Sequence, residues 1–156
     1  MASEHFDDPN IPNAERLFRR IHLTHVVEGE GGISVVSTAA FRDVELSVNL
    51  ESVMQGAGRA PEDSLKHNPG DLLMSLTAGL CRDQGQLVGP DPIAEDQALG
   101  VPAEPAHAYV YGKKSRTVQK ALRDAAAWVI PAESPLNDEI KRRKVQLGLV
   151  SADPVD

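Results

Sequence analysis

The chain has a single cysteine, Cys81, no apolar run approaching the ~18 residues of a membrane span, and fewer basic than acidic side chains. Each shortage excludes something. One thiol cannot build a disulfide framework or a thiolate metal centre. Sixteen Lys and Arg against 23 Asp and Glu give a net charge of -7, the wrong sign for a protein that coats nucleic acid or anionic membrane. The first residues, Met1-Ala2-Ser3-Glu4-His5-Phe6-Asp7-Asp8, are acidic where a signal peptide is basic and then apolar, so a cytoplasmic protein without membrane attachment is expected. Gly-x-Ser-x-Gly is missing as well, which removes the usual serine hydrolase elbow.

What remains is ordinary globular material. A chain of 156 residues with 41% hydrophobic and 25% charged residues suits one core, and at this length roughly 68–70% of the extended-chain surface can be buried without staples. Residues 1–16, with Asp7, Asp8, Pro9 and Pro12, read as a flexible lead-in, and 17–131 as a single α+β domain. Residues 132–156 read as a loosely attached tail of mixed charge. No repeat with a period of 20–50 residues is visible, and strands and helices do not alternate regularly, which favours a mixed, mostly antiparallel sheet with two main helices.

Alternation of apolar and polar residues over 17–27 predicts a half-buried strand, with the glycine-rich Glu28-Gly29-Glu30-Gly31-Gly32 joining it to a second β-branched run at 33–36 as a hairpin. Val44, Leu46, Val48 and Leu50 repeat strictly every second residue and predict another strand. Asn68 as cap and Pro69 at the first helical position predict a helix with the stripe Leu72, Leu73, Leu76, Gly79 and Leu80, ending near Gly85. A short strand at 86–88 precedes a proline-rich stretch, 89–105, whose length marks it as a lid or docking segment. The strand expected at 106–111 puts His107, Tyr109 and Tyr111 on one face. From a Ser115 cap, Val118, Ala121, Leu122, Ala125, Ala126 and Val129 then fall at helical spacing up to Pro131.

Chemistry-bearing residues fall into three groups. Gly112-Lys113-Lys114-Ser115 resembles the end of a phosphate-binding loop, but that motif needs a glycine where this chain has His107, so it is not a Walker motif. Lys113, Lys114 and Arg116 nevertheless crowd the positive end of a helix dipole, with Ser115 among them, and are expected to bind an anion there, solvated lysines being the plain alternative. The second group is Arg19-Arg20-Ile21-His22-Leu23-Thr24-His25. In a strand His22 and His25 point to opposite faces, so no shared metal is expected; His25 should pack inward while Arg20 and His22 face solvent or a cleft. The third is the tail run Lys141, Arg142, Arg143 and Lys144, which no aromatic interleaves; it suits protein docking better than nucleic acid. Cys81, near the end of an apolar helix, reads as a buried structural thiol.

Two functions follow from these parts. The first is a soluble accessory or ligand-responsive domain acting through a protein partner or as a homo-oligomer, without a cofactor. The second is a small enzyme on NAD or another anionic nucleotide-like substrate. ADP-ribosyltransferases place an early-strand Arg or His against a later Ser or Tyr and an acidic residue, and this chain offers Arg20 or His22, Ser37 or Ser47, Tyr109 or Tyr111, and Glu45 or Glu51. There an arginine holds the pyrophosphate, an aromatic stacks on nicotinamide, and a carboxylate stabilises the developing ribosyl cation. Under that reading Arg20, His107 and Tyr109 are the catalytic candidates, converging with Lys113 on one pocket.

Overall fold

Alternate residues of a strand face opposite sides, and here both sides of the main sheet are apolar at its centre. The computed structural model describes residues 4–151. Six strands form that sheet: β1 (Arg16–Ile21), β4 (Glu45–Leu50), β5 (Leu72–Thr77), β6 (Leu87–Pro90), β7 (His107–Tyr111) and β8 (Ala127–Ile130). Their order is β6-β7-β4-β1-β5-β8, and every ladder among the described residues is antiparallel. A separate hairpin pairs β2 (Val26–Val27) with β3 (Val35–Val36). The helices are α1 (Glu51–Gly56), α2 (Ala78–Asp83), and two of ten residues, α3 (Arg116–Ala125) and α4 (Asn137–Gln146). The chain is a single α+β domain, as its sequence pattern predicts.

The larger core lies on one face of the sheet, where Leu17, Ile21, Leu46, Val48, Met74 and Val110 pack with Phe41, Cys81 of α2, Leu122 of α3 and Ile140 of α4. On the opposite face a smaller cluster, Phe18, Met54, Leu65, Leu73 and Ala106, is roofed by α1 and the 3-10 turn Pro61–Leu65. That roof covers only part of the face. The uncovered remainder is the floor of the groove described below.

Several local expectations are corrected. The strand expected over 17–27 stops at Ile21: His22 caps a 3-10 turn, Leu23–His25, by accepting from the Thr24 N–H, and the chain resumes as β2. The helix expected after Pro69 is strand β5 followed by the short α2. Leu72-Leu73-Met74-Ser75-Leu76 is buried on both faces between β1 and β8, and pairing in a sheet centre outweighs helical spacing in a short apolar run. The Ser115-capped helix is present, its cap accepting from Val118 N–H at 3.2 Å, but it ends at Ala125, and Ala127–Ile130 form the edge strand β8.

The segments expected to be loose carry anchors. Ile11 and Glu15 of the lead-in are buried, and Asp7 accepts from the Arg82 Nε at 2.9 Å. In the tail, Asn137 ties α4 to the hairpin: its Oδ1 accepts from Gly29 N–H and Ser34 Oγ, and its Nδ2 donates to Gly29 O. Residues 1–3 and 152–156, the ends of these two segments, lie outside the described residues. The stretch 91–105 is an antiparallel excursion with bridges Ile93↔Glu104 and Asp96↔Val101, pinned at its base by Glu104.

Candidate functional site

Strands β1 and β4 pair at Leu17↔Leu50 and Phe18↔Asn49 and then diverge, whereas β4 and β7 stay in register over five positions, from Glu45↔Tyr111 to Asn49↔His107. Beyond Phe18 the carbonyls of β4 that would face β1 need another donor. Arg19 supplies it: its Nη1 donates to Ser47 O at 3.2 Å and its Nε to Ala40 O at 3.1 Å. A side chain thus spans a split in the middle of the sheet. The 3-10 turn that ends β1 carries His22 and His25 to the mouth of the same split.

A groove follows this split and runs out under the excursion. Its two lobes, about 440 and 630 Å³, share Arg20, Asn49, Ser64, Asn68, Ile93 and His107. The smaller lobe adds Arg19, His22, His25, Ser47 and Asp71. The larger adds Arg59, Lys66, His67 and Glu104, walled by Val101, Pro102 and Ala103 of the excursion. Four of the chain's five histidines therefore line one concavity, His22, His25, His67 and His107. In a protein of net charge -7 this is a local concentration of cationic and imidazole groups. Its carboxylates are engaged: Asp71 meets the Nε of Arg20 at 3.0 Å, Glu104 takes both outer nitrogens of Arg59, and Asp63 accepts from Ala60 N–H.

Orientation within the groove is specific. His107 Nδ1 lies 2.8 Å from the carbonyl oxygen of Asp91, so that nitrogen carries a proton, and in the neutral ring Nε2 is the acceptor. Asn49, opposite His107 across the ladder, donates to Ser64 Oγ at 3.1 Å and to Glu104 Oε1 at 3.3 Å. Burial, then the nearby Arg19, Arg42 and His22, hold His25 below its ordinary value, so it enters the groove as a neutral imidazole at pH 7.

The sequence-predicted residues divide. Arg20, His22, Ser47 and His107 are brought together. Tyr109 is on the same sheet face but is covered, its hydroxyl accepting from Phe6 N–H at 2.9 Å and donating to Phe6 O at 3.0 Å. Tyr111 stacks on His5. Ser37 caps a 3-10 turn, Glu51 pairs with Arg16 at 2.6 Å, and Glu45 lies 3.3 Å from His5.

Of the four residues expected to bind an anion at the start of α3, Lys114 is engaged within the chain. Its ammonium is buried and donates to the carbonyls of Val44, Val110 and Gly112 at 3.0, 3.0 and 3.1 Å, so it closes the end of β7. Lys113 and Arg116 are exposed beside it, outside the groove, and Ser115 spends its oxygen on the cap. The tail run divides as well. Helical spacing turns Lys144 inward, where it donates to Val26 O at 2.6 Å, and Arg143 to Gly70 O at 3.4 Å; Lys141 and Arg142 are exposed.

Asn49, Ser64, Arg59 and His67 were not singled out by sequence, because they enter the groove from β4, the turn at 61–65 and its flanks, which only the fold brings together. Among the described residues no group of three or more His, Cys, Asp or Glu side chains is arranged to hold a metal ion, and no helix is long and apolar enough to cross a membrane. Comparison of the chain with family models, with curated proteins and with solved structures finds no match.

Proposed function

We propose that the protein is an enzyme on NAD or a closely related anionic nucleotide, with the groove between β1 and β4 as its substrate site. The observation that carries this reading is the split itself, which sets Arg20 and His22 against Ser47, Asn49 and His107 along one two-lobed groove. A dinucleotide has two bulky halves joined by a charged pyrophosphate, and two connected lobes lined by Arg20 at their junction match that shape. Asp71 engages Arg20 at Nε and so orients the guanidinium plane, whose outer edge suits a phosphate.

In the transfer envisaged, the bond between ribose C1′ and the nicotinamide nitrogen breaks, its electron pair leaving with nicotinamide. Water or an acceptor hydroxyl then bonds to C1′ and gives up a proton. His107, with Nδ1 protonated toward Asp91 O, has Nε2 available to take it. Such a substrate accords with the cytoplasmic placement expected from sequence.

Calorimetric titration with NAD, ADP-ribose and ATP, alongside a nicotinamide-release assay, tests the reading. Arg20→Ala should weaken NAD at least tenfold with little change in melting temperature, and Lys113→Ala should leave it unchanged. Absence of heat with all three ligands, or unchanged affinity in Arg20→Ala, would overturn it.

The rival reading, an accessory domain acting through a partner or a second copy, draws on the exposed apolar side chains Val27, Ile33 and Val35 of the hairpin and Leu136 beside it. Sedimentation and a pull-down from a lysate distinguish it, since under that reading these four positions are the ones whose charge substitution abolishes association.

A further inference from the structure

Each polar side chain of a groove has a fixed set of bonds to make, and those already made within the chain leave the remainder for a ligand. Glu104 has none left. Its Oε1 accepts from Arg59 Nη2 and Asn49 Nδ2, and its Oε2 from Arg59 Nη1 and the Ala106 N–H, so every lone-pair direction of the carboxylate is used. Because an ionised carboxylate only accepts, the nitrogen of the Asn49 amide is the atom that faces it, and the second hydrogen of that amide goes to Ser64 Oγ at 3.1 Å. Ser64 in turn donates to the Met54 sulfur at 3.4 Å. The Asn49 side chain is thereby locked with both hydrogens spent, and its Oδ1 has no partner among the described residues.

The two banks of the groove differ in hydrogen-bond sense. Phe18↔Asn49 and Asn49↔His107 are paired positions, so Arg20, two residues beyond Phe18, shares one face of the sheet with Asn49 and His107. On the β1 bank Asp71 takes the Nε of Arg20 and leaves the outer guanidinium nitrogens. His22 Nδ1 accepts from the Thr24 N–H, so the neutral ring carries its proton on Nε2. That bank donates. On the bank formed by β4 and β7, Asn49 offers Oδ1 and the neutral ring of His107 offers Nε2. That bank accepts. A ligand lying across the split meets donors suited to an anion on one side and must bring hydrogens of its own to the other, and the phosphate ester of a sugar does both.

We infer that Asn49 is the residue that reads ribose in this groove, its Oδ1 accepting from the 2′-hydroxyl of the nicotinamide ribose while Arg20 holds the phosphate; this rests on the nucleotide reading given above. Facing residues on neighbouring antiparallel strands have Cβ atoms roughly 4.5–5.5 Å apart, so Asn49 and His107 reach adjacent atoms of one sugar. A 2′-hydroxyl on Asn49 places C1′, one carbon away, beside His107, the group assigned to take the proton of the attacking water or hydroxyl. The sugar is thus held on the accepting bank without consuming His107 Nε2. An analogue without that hydroxyl leaves Oδ1 unpaired, and the amide cannot turn to compensate because Glu104 and Ser64 hold its other end. The groove therefore selects ribonucleotides against their 2′-deoxy counterparts.

The test titrates the full-length protein with NAD and with NAD lacking the 2′-hydroxyl on its nicotinamide ribose. Wild type should bind NAD about tenfold more tightly than the deoxy analogue. Asn49→Leu, close in volume but without the amide, should weaken NAD by about the same factor and bind the two ligands alike. Arg20→Ala should weaken both ligands and keep the preference between them, which separates the sugar contact from the phosphate contact. A wild type that binds both ligands equally overturns the role of Asn49 and leaves the nucleotide reading standing. An Asn49→Leu protein that melts cooperatively and retains the wild-type preference does the same. Should Asn49→Leu fail to fold, Asn49→Ala replaces it with the same expectation, and the wild-type comparison needs no variant. If neither ligand binds wild type, the nucleotide reading falls and this inference falls with it.

Discussion

The carboxylate of Glu104 meets the guanidinium of Arg59 through two bonds, 2.6 Å from Nη1 and 2.7 Å from Nη2, and this pair fastens the excursion 91–105 beside the end of α1. The bond to Arg59, then the Ala106 N–H and the charges of Arg59 and His107, hold the Glu104 carboxyl below the usual glutamate range, against the opposing effect of burial. A carboxyl depressed in the folded state contributes stability above its unfolded value, about 4.3, and loses it as pH falls through the folded value. Glu104→Gln should therefore lower stability by about 2 kcal/mol at pH 7, and its deficit against wild type should shrink as pH drops below about 4.3. Urea melts of both proteins across pH 2.5–7, on the order of one titration step apart, check this.

Lys114 tests the packing at the start of α3. Lys114→Met deprives the carbonyls of Val44, Val110 and Gly112 of their shared donor and should cost about 2–3 kcal/mol, with no loss of nucleotide affinity. Burial pushes the Lys114 ammonium down to about 8, against the attraction of Cys81 and Asp43. Between there and the unfolded value of about 10.4 the unfolded chain holds a proton that the folded one has released, so stability rises with pH. The wild-type advantage over Lys114→Met should accordingly widen across that interval in thermal melts.

Cys81 is buried on the core face, where loss of hydration pushes its thiol up to about 12. Native protein should resist iodoacetamide at neutral pH, and labelling should track the population of unfolded chain as urea is added. Rapid stoichiometric labelling in buffer would contradict the packing described.

Gly89→Ala probes the packing of residues 5–8 on the sheet. A Cβ at this position would overlap the Tyr109 hydroxyl and come within 2.7 Å of Phe6 O, so the substitution should displace residues 5–8 while β6 stays paired. The expected readout is faster exchange at the Phe6 and Asp8 amides. Unchanged exchange would show that Tyr109 and Phe6 yield without releasing the segment.

The sequence by itself determined those elements whose pattern matched their environment. Period-two alternation at Leu46, Val48 and Leu50 became β4, His107, Tyr109 and Tyr111 share a face of β7 as their spacing requires, and Ser115 caps α3. Tertiary structure decided the rest. Leu72 to Leu76 has apolar residues that satisfy either period, and only neighbours on both sides made it a strand. Lys114 looked like a ligand for an anion because its charge was legible and its three carbonyl partners, from Val44, Val110 and Gly112, were not. The groove exists because β1 and β4 part after Phe18 and Arg19 fills the gap, and no local pattern encodes where two strands stop pairing. Periodicity records which face of an element meets the core; it carries no term for the contacts between residues far apart in the chain, and those contacts set the split.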